Sequence, residues 1–194
     1  DVTVPTAAGA EDCSATYELA LSALAPNDKC SGTALSNYKF GYFIDGVTAD
    51  TVYAASSATK FSISLNVRPT AYTIAWVVAD KAGNRTECEN NVTIIDKTKP
   101  VITCPVDTAI KLVTACDSTI QLIAPKVEDN CSGDITFTYK IGSETAKPYS
   151  GPVAYKIGLG KTIVTWIAKD AAGNYSTECK RTYTVTDNQG LNFI

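Results

Sequence analysis

"DKAGNRTEC", from Asp80 to Cys88, and "DAAGNYSTEC", from Asp170 to Cys179, are one phrase written twice. Gly83 and Gly173 can each supply the positive φ of a tight turn, and Asp80 and Asp170 can each accept hydrogen bonds from nearby turn amides. The flanks alternate. Upstream, Val164, Trp166 and Ala168 fall on one face, as do Ile74, Trp76 and Val78. Downstream, Cys179, Tyr183 and Val185 share a face, as do Cys88, Val92 and Ile94. Thr, Val, Ile and Tyr fill these runs, which suits a pleated surface. The phrase reads as the turn of a β-hairpin, needed in two places.

The repetition extends over nearly the whole chain. Cys13 matches Cys116, "DKCSG" (Asp28 to Gly32) matches "DNCSG" (Asp129 to Gly133), and Tyr38-Lys39 matches Tyr139-Lys140. Trp76 matches Trp166, Cys88 matches Cys179 and Asp96 matches Asp187. Self-similarity in a fixed order marks tandem units. The expected division is 1–96 and 97–194, with "DKTKP" (Asp96 to Pro100) as linker and extra residues in the first unit near 41–69. "YELALSALA" (Tyr17 to Ala25) reads locally as helix, but its counterpart "TIQLIA" (Thr119 to Ala124) reads as strand, so strand is expected in both. Short, regularly spaced strands without intervening helices predict an all-β chain of two antiparallel β-sandwiches.

Composition narrows the function. The chain has 194 residues, 45% of them hydrophobic and 19% charged, enough to fold as two domains of about 100 residues. A net charge of −3 argues against nucleic acid or an anionic membrane as partner. No run of eighteen apolar residues occurs, so membrane insertion is not expected. There is no His, which rules out a Ser–His–Asp or Cys–His centre within this chain. No pair of acids is placed by sequence in one cleft, and the chain reads as a non-enzyme. "GLGKT" (Gly158 to Thr162) resembles a phosphate loop only in part, because Tyr155 stands where the pattern needs Gly and a strand follows in place of a helix.

Seven Cys with no C-x-x-C pair read as disulfides, hence as a secreted or cell-surface protein. Cys104, in "VITCP", has no counterpart in the first unit; the matching position would fall just before Asp1. The repeat register therefore selects Cys104–Cys179, Cys116–Cys131 and Cys13–Cys30, with Cys88 left free because its partner is truncated. Sequence alone leaves other connectivities open.

"DKTKPVITCP", "PKVEDNCSGD", "TIVTWIAKDAAGN" and "STECKRTYTVTDN", in this order and spacing, resemble the hyalin-repeat family and its bacterial immunoglobulin-like relatives. The resemblance covers the second unit fully and the first without its opening strand. It departs in the 41–69 region and at "VRPT" (Val67 to Thr70), which stands in place of "GLGK" (Gly158 to Lys161). It implies two tandem immunoglobulin-like sandwiches with intradomain disulfides, acting as non-catalytic stalk repeats of a large bacterial surface adhesin. Gliding-motility adhesins exported by the type IX system are among such proteins. The alternatives are a glycan- or protein-binding module and an accessory module of a secreted hydrolase. The partners implied are neighbouring repeats of the same chain and a surface polysaccharide or protein.

Two residue sets remain as ligand candidates. Tyr42, Phe43 and Tyr53 could stack on a sugar ring; Tyr38 and Phe40, through their matches Tyr139 and Ile141, read as core. Asp96, Asp129, Asn130 and Asp134, with Asp28 and Asp187 nearby in kind, are candidates for calcium, although calcium takes six to eight oxygens and these are scattered singly. No other cofactor is implied.

Overall fold

The structure is a computed structural model and describes residues 1–6, 13–26, 32–48, 51–54, 57–114, 116–131 and 133–190. The chain separates into Asp1–Lys97 and Thr98–Ile194.

In the first unit the strands are β1 (Val2–Pro5), β2 (Ser14–Ala20), β3 (Tyr38–Ile44), β4 (Val52–Tyr53), β5 (Lys60–Asn66), β6 (Tyr72–Asp80) and β7 (Arg85–Ile95). They form a five-stranded sheet in the order β1-β7-β6-β3-β4 and a two-stranded sheet β2-β5. The second unit has β8 (Val101–Thr103), β9 (Thr108–Leu112), β10 (Asp117–Leu122), β11 (Lys126–Glu128), β12 (Thr136–Ile141), β13 (Lys147–Tyr149), β14 (Val153–Gly158), β15 (Gly160–Lys169) and β16 (Cys179–Asp187). Its five-stranded sheet runs β13-β12-β15-β16-β9, and the pairs β10-β14 and β11-β8 complete it. In each unit an early strand lies parallel to the last one, β1 on β7 and β9 on β16, while the other pairs are antiparallel. This is the strand order of an immunoglobulin-like sandwich, closed on one side by a parallel terminal pair.

The cores follow from alternation. Ala15 and Tyr17 of β2 and Phe61, Ile63 and Leu65 of β5 face Phe40, Ile74, Trp76, Val78, Val92 and Ile94 of the larger sheet. In the second unit Ile120, Leu122 and Ile157 face Tyr139, Ile141, Val164, Trp166, Tyr183 and Val185. Each indole is surrounded by rings: Tyr17, Tyr42 and Phe61 around Trp76, and Phe137, Tyr139 and Tyr149 around Trp166.

The repeated phrase makes the same turn twice. Asp80 Oδ1 accepts the Asn84 N–H at 2.8 Å and Oδ2 accepts its side-chain amide at 2.7 Å. Asp170 does the same for Asn174 at 2.7 and 2.9 Å. Gly83 and Gly173 take φ of 92° and 95°, where a side chain would strain the backbone.

Three sequence expectations are corrected in detail. First, Tyr38-Lys39 is not the structural match of Tyr139-Lys140. Tyr42 stands opposite Trp76 as Tyr139 stands opposite Trp166, so the match slips by four residues. An even slip keeps the same face inward, which is why the alternation still looked right. Second, the helix-like "YELALSALA" is strand only to Ala20; Leu21–Leu24 form a single 3-10 turn ended by Ala25 in the left-handed region. Third, the extra residues of the first unit are not one insertion. They are spread over the connections 45–51, 54–59 and 67–71, against 142–146, 150–152 and 159 in the second unit. Arg68 pins the last of these. Its guanidinium bonds Asp45 through two nitrogens at 2.6 and 2.9 Å, reaches the carbonyls of Thr70 and Ala71, and lies 3.5 Å from the centre of the Tyr72 ring. "GLGKT", by contrast, is simply the tight turn from β14 into β15, with Gly160 at φ 105°.

Two outcomes are expected. Leu122 is 1% exposed, and Leu122→Ala should cost about 2–5 kcal/mol. Calorimetry should show this as a lowered Tm for the second unit alone. The Asn84 side-chain amide, with the backbone N–H groups of Asn84, Ala82 and Gly83, holds the Asp80 carboxyl below its ordinary range. A carboxylate lowered on folding stabilises fully above its unfolded pKa, about 3.9, and the contribution is lost as pH falls through the lower folded value. Asp80→Asn should therefore lower the Tm of the first unit at pH 6, and thermal melts should show the gap from wild type closing below about pH 4.

Candidate functional site

The features that distinguish this chain lie along its terminal strands. In the second unit, Tyr139, Trp166 and Cys179 form one row across β12, β15 and β16. Cys179 is 1% exposed and is disulfide-bonded to Cys104, with Cα atoms 5.4 Å apart. Cys104 follows β8, whose Ile102 pairs with Val127 of β11 and packs against the core. The bridge joins the first strand of the unit to the last across a sequence separation of 75 residues. A loop of that size is worth about 4 kcal/mol in the chain-entropy account of disulfides. The Arg181 guanidinium adds a second tie, donating to the Val106 carbonyl at 3.0 Å and the Thr108 hydroxyl at 2.8 Å.

The first unit has the same row, Tyr42, Trp76 and Cys88, across β3, β6 and β7. Here Cys88 is a free, exposed thiol. Two residues along, Val78 pairs with Thr86, and both line an open cleft of about 200 Å³ together with Pro26, Tyr38 and Arg85. Nothing in the sequence pattern announced this cleft. The Trp76 indole N–H donates to Asn90 Oδ1 at 2.5 Å, and the Asn90 amide donates to the Tyr17 hydroxyl at 3.1 Å.

The expected Cys116–Cys131 bridge is not present. Cys116 is a free thiol exposed between β9 and β10, and Cys131 is disulfide-bonded elsewhere. The two had been joined only by the spacing they share with Cys13 and Cys30. Of that second pair, Cys30 lies outside the described residues, as does Asp28.

The three aromatic candidates do not form a ligand surface. Phe43 is 4% exposed, in a small cluster with Ala75 and Val77. Tyr42 is half-buried against Phe61 and Trp76, its ring centre 5.1 Å and 5.8 Å from theirs. Tyr42 faces the core, whereas Phe43, its neighbour in β3, packs on the opposite face of the sheet. Only Tyr53 is exposed, and its ring covers Gly41, where a β-carbon would come within 3.0 Å of it.

The candidate calcium ligands have local partners. Asp96 is buried and accepts the Thr6 hydroxyl at 3.4 Å. Asp129 Oδ1 accepts the Cys131 N–H at 3.0 Å, as an Asx turn does. Asn130 is half-buried in the same loop, Asp134 is exposed, and Asp187 caps the Gln189 N–H at 2.8 Å. Among the described residues no helix is long and apolar enough to cross a membrane.

No family model matches the chain, and no curated protein does. Solved structures that match include the fibronectin(III)-like modules of Clostridium thermocellum CbhA, 18% identical over 80% of this chain and 83% of that one, TM-score 0.38. A 1.5-MDa bacterial ice-binding adhesin is 15% identical over 97% of this chain, TM-score 0.36, and a three-immunoglobulin-domain variant of titin is 10% identical over 96%, TM-score 0.39. The chain spans only 61% and 63% of those two. These are distant likenesses, and the immunoglobulin-like assignment rests on the strand order and parallel terminal pairing of each unit.

Proposed function

We propose that this chain is a non-catalytic stalk segment of a bacterial cell-surface adhesin, two repeats of an array that holds a ligand-gripping part away from the cell and transmits tension to it. Within that class the sequence resemblance favours the gliding-motility adhesins of the type IX system. Fold alone does not name a function, so the reading rests on how each unit is built between its ends.

One observation carries it. In both units an early strand and the final strand lie side by side and parallel. Force applied to the two ends of such a unit pulls these strands past each other along their length. The inter-strand hydrogen bonds then share the load together, whereas a pair pulled apart from one end would break them in turn. In the second unit the Cys104–Cys179 bond takes the load first: β9 lies within the bridged segment, so the parallel pair bears force only once that bond is reduced.

Two measurements test the proposal. In single-molecule stretching, the oxidised second unit should yield only its short ends. Reduction should release about 250 Å of additional contour, from the 75-residue separation at about 3.4 Å per residue. Should both forms unfold at forces too small to resolve, the tension role fails. On a glycan array a stalk binds nothing; saturable binding that Tyr53→Ala abolishes would replace the stalk by a glycan-binding module.

A further inference from the structure

We propose that β5 of the first unit is an open sheet edge that pairs with β5 of a second copy of this chain, antiparallel and about a two-fold axis through Ile63. The interaction is that of one strand added to another through backbone hydrogen bonds, with the same surface used by both copies.

Among the described residues β2 is the only strand paired with β5. The bonds at the two ends of that pair fix which backbone groups are used. The Leu21 N–H donates to the Thr59 carbonyl and the Val67 N–H to the Cys13 carbonyl, both at 2.9 Å. Both lie in the register that sets Ser14 opposite Asn66 and Ala20 opposite Lys60. Antiparallel strands alternate between bonded and unbonded pairs, so the bonded pairs here are Ala15–Leu65, Tyr17–Ile63 and Leu19–Phe61. Lys60, Ser62, Ser64 and Asn66 therefore turn their backbone groups away from β2, and all four residues are exposed. The Asn66 carbonyl accepts the Tyr72 hydroxyl at 2.9 Å. At the centre of the edge, the backbone groups of Ser62 and Ser64 have no partner among the described residues.

Open edges are ordinarily kept apart by prolines, bulges or a charge within the strand. β14, which pairs with β10 as β5 does with β2, has such a charge in Lys156. β5 pairs regularly along its whole length and has no proline. Its one charge, Lys60, stands at the end and is neutralised by Glu18 at 2.6 Å. The strand is also complementary to itself. With Ile63 on the axis, Ser62 stands opposite Ser64 of the copy, and Lys60 opposite Asn66. Hydroxyl then faces hydroxyl, and no like charges meet. Phe61, Ile63 and Leu65 stay turned into their own cores, so pairing buries no unpartnered polar group on that side. This complementarity singles out a second copy as the occupant. The pairing does not depend on whether the chain serves as a stalk.

The test uses the intact chain with its free thiols capped by iodoacetamide, so that no disulfide can link two copies. Sedimentation and residue-level amide exchange by NMR are followed from about 10 μM to about 1 mM, the range in which a small interface dissociates. A dimer should appear as concentration rises. In it the Ser62 and Ser64 amides should exchange at least about tenfold more slowly than in the monomer, while the Ile63 amide, bonded to Tyr17, is protected throughout. Ser64→Pro removes an outward N–H and none that faces β2; it should weaken the dimer at least about tenfold, a difference of about 1.4 kcal/mol. Ser64→Ala keeps the N–H and should dimerise as wild type does. A chain that stays monomeric at about 1 mM overturns the proposal. So does a dimer in which the Ser62 and Ser64 amides exchange as fast as in the monomer, since its contact then lies on another surface.

Discussion

In each sandwich the packing depends on one indole held between a tyrosine on one neighbouring strand and a cysteine on the other. Trp166 has Tyr139 and Cys179 beside it, and Trp76 has Tyr42 and Cys88. The row crosses the larger sheet at its centre and presents a large flat group to the smaller sheet. Aromatic side chains bury more area than any others, and ring pairs at offset or edge-on angles add to that burial. The positions of the neighbouring rings, 5.1 to 6.3 Å from the indoles, are therefore set by the tryptophan. The last strand must reach it with a small residue, and cysteine fits. Where a second cysteine is available, the same spot becomes a covalent tie.

Much of this was legible beforehand because local chemistry and long-range packing ask for the same thing. Asp80 and Gly83, and their copies Asp170 and Gly173, specify a turn whatever surrounds them, and the alternation on both sides specifies strands. What could not be read was register. Tyr38, Phe40 and Tyr42 all point inward by parity, and only the pairing with β6 decides which of them meets Trp76. Parity alone therefore leaves Tyr38 and Tyr42 equivalent as the match of Tyr139. The Cys116–Cys131 expectation failed because spacing says nothing about which way a thiol faces. The tie between Asp45, Arg68 and Tyr72 was invisible because it joins two connections that are longer here than their counterparts in the other unit.

Charge contributes little to the architecture. The ion pairs, such as Lys60–Glu18 and Lys156–Asp117, lie on exposed faces, where solvent and salt screen them. Such pairs keep the outer faces soluble and leave stability to the cores and the terminal strands. A chain without histidine also has no side chain whose ordinary pKa lies between pH 5 and 8.

The parallel contact between β9 and β16 has a consequence for biosynthesis. Its partners lie about a whole unit apart in sequence, Thr108 against Tyr183. Contacts between such distant positions close slowly, because chain entropy must be spent before they form. A unit emerging N-terminus first from a ribosome cannot complete its larger sheet until its final residues are out. Each repeat then remains open along one side through most of its own synthesis. The unit stays a pliable thread until then, and rigidity arrives with its last strand.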